Sequence, residues 1–152
     1  MPQYDHELLD LARVVRVVKG GRRFRFRASV VVGDRRGKVG FGVGKSKDVQ
    51  QAIQKGQEAA AKSVVEVPLK KGTIRHSVRA KFNGADVFLK PARVGTGMIA
   101  GSTVRTVADL AGIKDLVTKV YGSSSKVNNA KATIKALGTL RKERKEDTKD
   151  AK

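Results

Sequence analysis

The sequence has no cysteine and no tryptophan, and aromatic residues make up only 5% of its 152 positions. The absence of cysteine excludes disulfides and thiolate chemistry and favours a protein that works inside the cell. With so few aromatic side chains, stacking on unpaired bases is not expected to be the main means of recognition. The N-terminal MPQYDHELLD lacks the basic and apolar regions of a secretion signal, and no apolar run is long enough to span a bilayer. We therefore expect a cytoplasmic protein with no membrane association.

Acidic residues are also scarce: 14 Asp and Glu stand against 33 Lys and Arg, which gives a formal net charge of +19. Charge of this size destabilises a compact chain by self-repulsion unless a polyanion neutralises it. Nucleic acid is the leading candidate for that polyanion. An acidic membrane surface is the alternative, but no basic helix rich in Trp and Leu supports it.

The basic residues concentrate at 19–47, a stretch with ten Lys and Arg and a single acid, Asp34. Within it Arg23, Arg25 and Arg27 alternate with apolar residues, so a strand would turn a row of guanidinium groups to one face and an apolar row to a core. Guanidinium groups form forked hydrogen bonds to phosphate. A solvated strand face is the alternative, but the clustering of charge along the whole stretch favours a nucleic-acid surface.

The first half of the chain predicts a βββα unit. Alternating apolar residues predict strands, and an apolar stripe at helical spacing predicts a helix after Ser46 or Asp48. In the third strand Gly40, Gly42 and Gly44 share one face, which indicates either a closely packed neighbour or direct contact with a sugar-phosphate backbone. The expected elements are a short helix at 5–12, strands at 13–18, 23–32 and 38–44, and a helix at 48–63.

The second half predicts strands followed by helix, strand and helix. A turn or linker at 67–73 precedes an alternating strand at 74–82, and Asn83-Gly84 is a strong hairpin signal. Gly112 is typical of a residue that ends a helix. The remaining expected elements are a strand at 85–91, a glycine-rich segment at 95–101, a helix from Ser102 or Thr103, a strand at 113–121 and a helix at 127–140.

Two glycine-rich motifs resemble nucleotide-binding loops. GFGVGKS at 40–46 fails as a P-loop, because that pattern needs glycine where Val39 stands. GTGMIA at 95–100 satisfies G-x-G-x-x-A, and Asp115 lies twenty residues beyond its first glycine. That fingerprint belongs to a βαβ unit, however, and here it follows an antiparallel hairpin. A nucleotide-using enzyme is therefore the weaker alternative.

The titratable residues provide no catalytic or metal-binding set. His6 and His76 are isolated, and no group of His, Asp and Glu has metal-ligand spacing. No nucleophile stands beside a base. We predict a protein that is not an enzyme and needs neither a cofactor nor a metal.

A second basic group lies near and beyond the predicted linker. Two basic surfaces on two small units predict a protein that bridges RNA segments, mainly through backbone and shape recognition. The second group comprises Lys70, Lys71, Arg75, Arg79, Lys81, Lys90 and Arg93.

Several motifs in order resemble the bacterial small-ribosomal-subunit protein five family. They are VVKGGRRFRFRASVVVGDRRGKVGFGVGKSKDV, VPL, GTI-x-H, KPA-x-x-GTG-x-IAG and VR-x-x-x-x-LAGI-x-D-x-x-TK-x-x-GSS. The resemblance covers about residues 13–141 and implies an α+β protein of two small domains. It implies a βββα domain like a double-stranded-RNA-binding domain at 1–68 and a two-layer βββαβα domain at 73–141. The tail at 142–152 lies outside the resemblance, and we expect it to be disordered because it is almost wholly charged.

The family resemblance implies a structural protein of the small ribosomal subunit in the cytoplasm. Such a protein binds ribosomal RNA, lies beside small-subunit proteins four and eight near the path by which messenger RNA enters, and supports translational accuracy. The family's basic Gly-Gly corner, linked to spectinomycin sensitivity, corresponds to residues 19–27. A free RNA-binding regulator outside any stable particle remains the alternative to a ribosomal component.

The sequence predicts two sets of site residues and no catalytic or metal-binding residue. The resemblance implies that the region 95–112 faces protein four and that the C-terminal domain faces protein eight. The residues expected to form the protein interface are Gly95, Gly97, Gly101, Arg105 and Gly112. The residues expected to bind RNA are Lys19, Gly20, Gly21, Arg22, Arg23, Arg25, Arg27, Arg35, Arg36, Lys38, Lys45, Lys47 and Arg75.

Overall fold

The computed structural model describes residues 4–140, and the predicted charged tail at 142–152 lies outside the described residues. The N-terminal domain consists of β1 (Asp5–Val18), β2 (Gly21–Gly33), β3 (Lys38–Ser46), α1 (Val49–Lys62) and β4 (Val65–Glu66). Its four strands form one antiparallel sheet in the order β1-β2-β3-β4, and α1 packs against β2 and β3. The predicted βββα order is confirmed, with β4 added at the edge of the sheet.

The predicted helix at residues 5–12 is wrong, because these residues form the first half of β1. β1 pairs with β2 along its whole length, from Asp5 opposite Gly33 to Val18 opposite Gly21, with one irregularity beside Leu8. These interstrand hydrogen bonds outweigh a two-turn helix, whose short length leaves most of its own backbone groups unpaired.

Packing of α1 explains the glycine face of β3. A Cβ atom at Gly40, Gly42 or Gly44 would lie only 2.2–2.3 Å from a backbone atom of α1. Only glycine allows the helix and the sheet to approach this closely. Of the two predicted explanations, the packed neighbouring element is therefore confirmed. The core beneath α1 contains Ala28, Val30, Val32, Ala52 and Ala60.

The C-terminal domain confirms the predicted βββαβα fold, in the order β7-β8-β9-α2-β10-α3. Its main sheet has the order β7-β8-β10-β9, in which β9 is parallel to β10 and the other pairs are antiparallel. Two further short strands, β5 and β6, form a separate sheet. The elements are β5 (Leu69–Lys70), β6 (Thr73–Ile74), β7 (Val78–Phe82), β8 (Ala85–Pro91), β9 (Met98–Ile99), α2 (Ser102–Ala111), β10 (Leu116–Tyr121) and α3 (Lys126–Gly138).

Local sequence signals predicted several boundaries in this domain and missed two. Asn83 and Gly84 have φ of +44° and +88°, as a tight type I′ hairpin turn requires, and Gly112 ends α2 with φ of +93°. The strand expected at 74–82 begins only at Val78, because Ile74 pairs within the β5–β6 sheet. β9 lies inside the glycine-rich segment, where two residues are too few to produce a periodic pattern.

The two domains share one hydrophobic core. Val31 and Val39 of the N-terminal sheet are fully buried in the same cluster as the C-terminal helices. The turn after β2 packs against the end of α2, where the Arg35 amide donates to the Leu110 carbonyl at 2.9 Å and the Gly37 amide donates to the Ala111 carbonyl at 2.9 Å. One face of the N-terminal sheet therefore carries α1, and the other carries the C-terminal domain.

Candidate nucleic-acid interface

β1 and β2 continue beyond the packed body as a two-stranded projection, residues 13–25, which we name the arginine ribbon. All of its residues are exposed except the half-buried Val18. A Cβ atom placed at Gly20 or Gly21 of its turn would meet no atom within 4 Å. Gly21 has φ of +140°, a conformation that favours glycine. The predicted Gly-Gly corner is thus an exposed turn at the tip of the ribbon.

Strand register places four arginines on one face, which we name the arginine face. Arg16 lies opposite Arg23, and Arg25 and Arg27 follow at alternate positions of β2. Lys45 of β3 lies opposite Arg27 and extends the row onto the next strand. Like charges that share a sheet face repel each other, so an anion lying across them is favoured. The predicted row of guanidinium groups is confirmed as an arrangement of side chains.

Sequence reasoning missed Arg16, which shares this face. The residue was assigned to a first strand without a partner, and a single strand gives no information about which residues face each other. The two-residue turn at Lys19-Gly20 was the available signal, because a tight hairpin fixes the register of both strands. Counting back from Val18 opposite Gly21 places Arg16 opposite Arg23.

Arg27 lies where the ribbon joins the body. Its side chain is half-buried, and its Nε atom is buried with no hydrogen-bond partner among residues 4–140. Buried polar atoms usually have a partner, so Arg27 retains unused hydrogen-bonding capacity. It also marks the point at which the arginine face meets the part of the sheet that carries the C-terminal domain.

The opposite face of the ribbon corrects one sequence expectation. Phe24 was expected to face a core, but it is 41% exposed and the Arg13 guanidinium lies 3.7 Å from its ring centroid. Val15 and Val17 on the same face are 46% and 78% exposed. Arg22 shares this face with Phe24 because it pairs with Val17. The apolar row reaches a core only from Phe26 onward, where the half-buried ring packs against the core beneath α1.

Arg35 occupies a different environment from the arginine face. Its guanidinium forms ion pairs with Asp5 at 3.0 Å and with Asp109 at 3.1 Å. The hydrogen bond that Arg35 donates to Asp5, followed by the one it donates to Asp109, raises the pKa of Arg35 above its ordinary value. Because Asp5 belongs to β1 and Asp109 to α2, Arg35 links the two domains. The structure therefore places this predicted RNA-binding residue in an intramolecular contact.

The other predicted RNA-binding residues lie outside the ribbon. Arg36 and Lys38 are exposed, and their backbone amides donate to the Asp34 carboxylate at 2.8 Å and 3.0 Å. Lys47 is exposed after β3, and Arg75 is half-buried after β6. These side chains do not share the register of the arginine face.

The predicted protein-interface residues fall into two groups. A Cβ atom at Gly95, Gly97 or Gly101 would meet no atom within 4 Å, so the loop before α2 is open. Arg105 is exposed on α2 and lines a cleft of about 410 Å³ between β1 and α2. Gly112 lies instead in the domain contact, where a Cβ atom would be 2.3 Å from the Arg35 carbonyl oxygen.

The loop that resembled a dinucleotide fingerprint has a structural explanation. Asp115, the acid that would bind a ribose in such a site, is buried and accepts a hydrogen bond from the Gly97 amide at 2.9 Å. The motif also opens into the strand β9 rather than directly into a helix. Asp115 therefore holds the loop against the end of the sheet.

Residues 4–140 contain no group of three or more His, Asp or Glu side chains that is placed to hold a metal ion. None of the helices in that range is long and apolar enough to cross a membrane.

Comparison with known proteins gives matches over both domains. The N-terminal domain of ribosomal protein S5 matches residues 4–68, and its C-terminal domain matches residues 80–150. Small ribosomal subunit protein uS5 of Campylobacter jejuni is 50% identical over 139 residues, which cover 91% of this chain and 95% of that protein. The protein of the same name from Treponema pallidum is 50% identical over 143 residues, which cover 94% of this chain and 83% of that protein.

A basic two-domain α+β protein with an exposed arginine face has the features of a structural protein of ribonucleoprotein particles. The matches over both domains show that the chain belongs to the ribosomal protein S5 family. It is accordingly a structural ribosomal protein of the cytoplasm and not an enzyme. The predicted family resemblance is confirmed.

Proposed function

We propose that this chain is a component of the small ribosomal subunit and binds ribosomal RNA through its arginine face. The observation that carries this proposal is the register that aligns Arg16, Arg23 and Arg25 on an exposed projection, with Arg27 on the same face at its base. Arginine combines a permanent charge with a planar fork of donors that matches phosphate geometry. The ribbon extends these donors away from the body, so they reach into an RNA groove without a clash from α1.

The other predicted RNA contacts join this proposal as flanking positions. The tip residues are Lys19, Gly20, Gly21 and Arg22, and the further basic residues are Arg36, Lys38, Lys45, Lys47 and Arg75. We infer that the domains comprise residues 1–68 and 73–141. The contact between them holds these RNA contacts in a fixed position relative to the C-terminal domain. Such a scaffold bridges RNA segments.

We further propose the partners that the family resemblance implied. The open loop with Gly95, Gly97 and Gly101, together with Arg105 and the start of α2, faces small-subunit protein four, and the C-terminal domain faces protein eight. In this arrangement the arginine ribbon lies near the path by which messenger RNA enters, where a displaced scaffold would lower decoding accuracy. Exposure of the loop and of Arg105 supports this assignment.

The test measures binding of the full chain to a small-subunit ribosomal RNA transcript over a range of salt concentrations. Replacing the four arginines with glutamine is expected to weaken binding at least tenfold and to reduce the salt slope by about 3 to 4, since each lost phosphate contact removes about 0.7 to 0.9. The control replaces Lys55, Lys62, Lys126 and Lys131 with glutamine, which removes the same charge from helix surfaces. An equal loss in both variants would contradict a role specific to the arginine face.

Sedimentation of a cell lysate distinguishes the ribosomal component from a free regulator. The chain is expected in the small-subunit peak at near-stoichiometric amount after a high-salt wash. A chain found mainly at the top of the gradient would favour the free RNA-binding protein.

A further inference from the structure

One face of the C-terminal sheet is covered by helices, and the other is open. Alternate residues of β7, β8 and β10 turn inward, and Ala80, Val87, Leu89 and Leu116 are buried in the core. The side chains between them turn outward to the surface that we name the open sheet face. Its residues are Arg79, Lys81, Asp86, Phe88, Lys90, Val117, Lys119 and Tyr121, with Ile99 of β9 at the rim.

Two aromatic rings lie on this face, one on β8 and one at the end of β10. Phe88 is half-buried and pairs with Lys119 on β10, while Tyr121 pairs with Asp86 and is 49% exposed. The two rings are therefore diagonal neighbours on adjacent strands, with backbone positions about 7–8 Å apart. An exposed pair of rings on a sheet surface presents flat apolar area on which planar groups stack.

Arg79 and Asp86 form a fixed unit beside Tyr121. The guanidinium donates to both carboxylate oxygens of Asp86, at 2.8 Å through Nε, and its carbon lies 5.6 Å from the Tyr121 ring centroid. The Asp86 side chain is only 10% exposed, and the hydrogen bond from Arg79 lowers its pKa. Arg79 thereby neutralises the single acid of the open sheet face and is held as a planar group next to the ring.

The remaining charge on this face is positive. Lys81 of β7, Lys90 of β8 and Lys119 of β10 are exposed, and they flank the two rings. Aromatic rings with flanking cations on an open sheet are the features that bind single-stranded nucleic acid, because every base has a face that stacks and every nucleotide carries a phosphate. An apolar protein partner would not need this charge, and a paired helix keeps its bases stacked away from the rings.

We propose that the open sheet face binds an unpaired RNA segment, whose bases stack on Phe88 and Tyr121 and whose phosphates contact the three lysines. The proposal rests on the proposed RNA binding of the chain but uses a surface separate from the arginine face. It also revises the expectation, drawn from the low aromatic content, that stacking has little part in recognition: two rings placed on one face are enough for a local stacking site.

The experiment uses the fluorescence of Tyr121. The full chain has two tyrosines and no tryptophan, so Tyr4→Phe leaves Tyr121 as the only strong emitter. The probes are an oligouridylate of about twelve nucleotides and an abasic oligomer of the same length and charge. We expect saturable quenching by the oligouridylate and at least fivefold weaker binding of the abasic oligomer. Equal affinity for both probes without quenching would overturn the proposal, as would equal quenching by polyglutamate, which would indicate a general acidic partner.

Variants separate stacking from charge and from the arginine face. Tyr121→Ala is expected to weaken oligouridylate binding about five- to hundredfold, measured by anisotropy of a labelled probe, whereas Tyr121→Phe should retain it. The matched control is Val94→Ala, at an exposed apolar loop position outside the open sheet face. The four-arginine variant should keep the preference for oligouridylate over the abasic oligomer. If the four-arginine variant keeps this preference and also keeps its affinity for ribosomal RNA, only the arginine-face proposal fails. If the wild type and every variant lack the preference for oligouridylate, only the present proposal fails.

Discussion

The arginine ribbon and the turn at residues 34–37 are both basic in sequence, but their surroundings give them different roles. In the ribbon, Arg16 and Arg23 face each other in an exposed projection. In the turn, Arg35 is bound to Asp5 and Asp109, and the adjacent backbone bonds to the end of α2. Charge density alone therefore does not identify a nucleic-acid contact, because an arginine that is paired with carboxylates of its own chain stabilises the fold.

The difference between the ribbon and the turn at residues 34–37 is tested most strongly at Gly112, which lies beneath the turn. Gly112→Ala is expected to destabilise the protein by about 3 kcal/mol or more, because the new Cβ would lie 2.3 Å from the Arg35 carbonyl oxygen and φ is +93°. Urea unfolding of the full chain measures this change. Gly101→Ala is the control, since its Cβ would meet no atom within 4 Å. Similar losses at both positions would contradict the close contact between the turn and α2.

Single arginine substitutions should change RNA affinity in the ribbon and melting temperature in the turn. Arg25→Gln should weaken binding to ribosomal RNA by up to about tenfold and leave the melting temperature unchanged, because it removes one charged contact to phosphate. Arg35→Gln should lower the melting temperature and leave RNA affinity nearly unchanged. The stability loss at Arg35 should become smaller at high salt, where exposed ion pairs are screened. The reverse pattern would make Arg35 an RNA contact and Arg25 a structural residue.

The smallest expected effect concerns pH and the other ion pair, Arg79 with Asp86. Because Arg79 lowers the pKa of Asp86 in the folded state, the pair contributes stability that is fully present above the ordinary pKa of about 4. This contribution is lost as pH falls through the lowered pKa. The difference in melting temperature between the wild type and Asp86→Asn should therefore be largest above about pH 4 and shrink as pH falls through the lowered pKa. A difference that stays constant across this range would show that the pair adds nothing through ionisation.

Local sequence patterns correctly predicted the elements that are determined by residues close together in the chain. Asn83-Gly84 defines its hairpin by its own backbone preference, and Gly112 ends α2 for the same reason. The stripe of Ala52, Gly56 and Ala60 in α1 is buried as the helical spacing indicated. In each case the residues that decide the structure lie within a few positions of each other.

The missed features depend on residues far apart in the chain. Residues 5–12 have a local pattern that suits a helix, but pairing with β2 makes them a strand. The partner of Arg35 on α2, Asp109, lies 74 positions away, so no window along the sequence connects them. The arginine face needed only one further step, the hairpin register, to include Arg16. The low aromatic content likewise gave no indication that Phe88 and Tyr121 lie on one face.

The shared core has a consequence for the order in which the protein is made. Val31 and Val39 are buried with Leu137, which is synthesised about a hundred residues later. When the N-terminal sheet and α1 leave the ribosome that makes them, the second face of the sheet has nothing to cover it. A nascent chain therefore carries exposed valines beside a strongly basic ribbon until the helices α2 and α3 of the C-terminal domain emerge. Truncation before α2 removes both helices that cover this face of the N-terminal sheet, and such a fragment should be a substrate for chaperones and proteases.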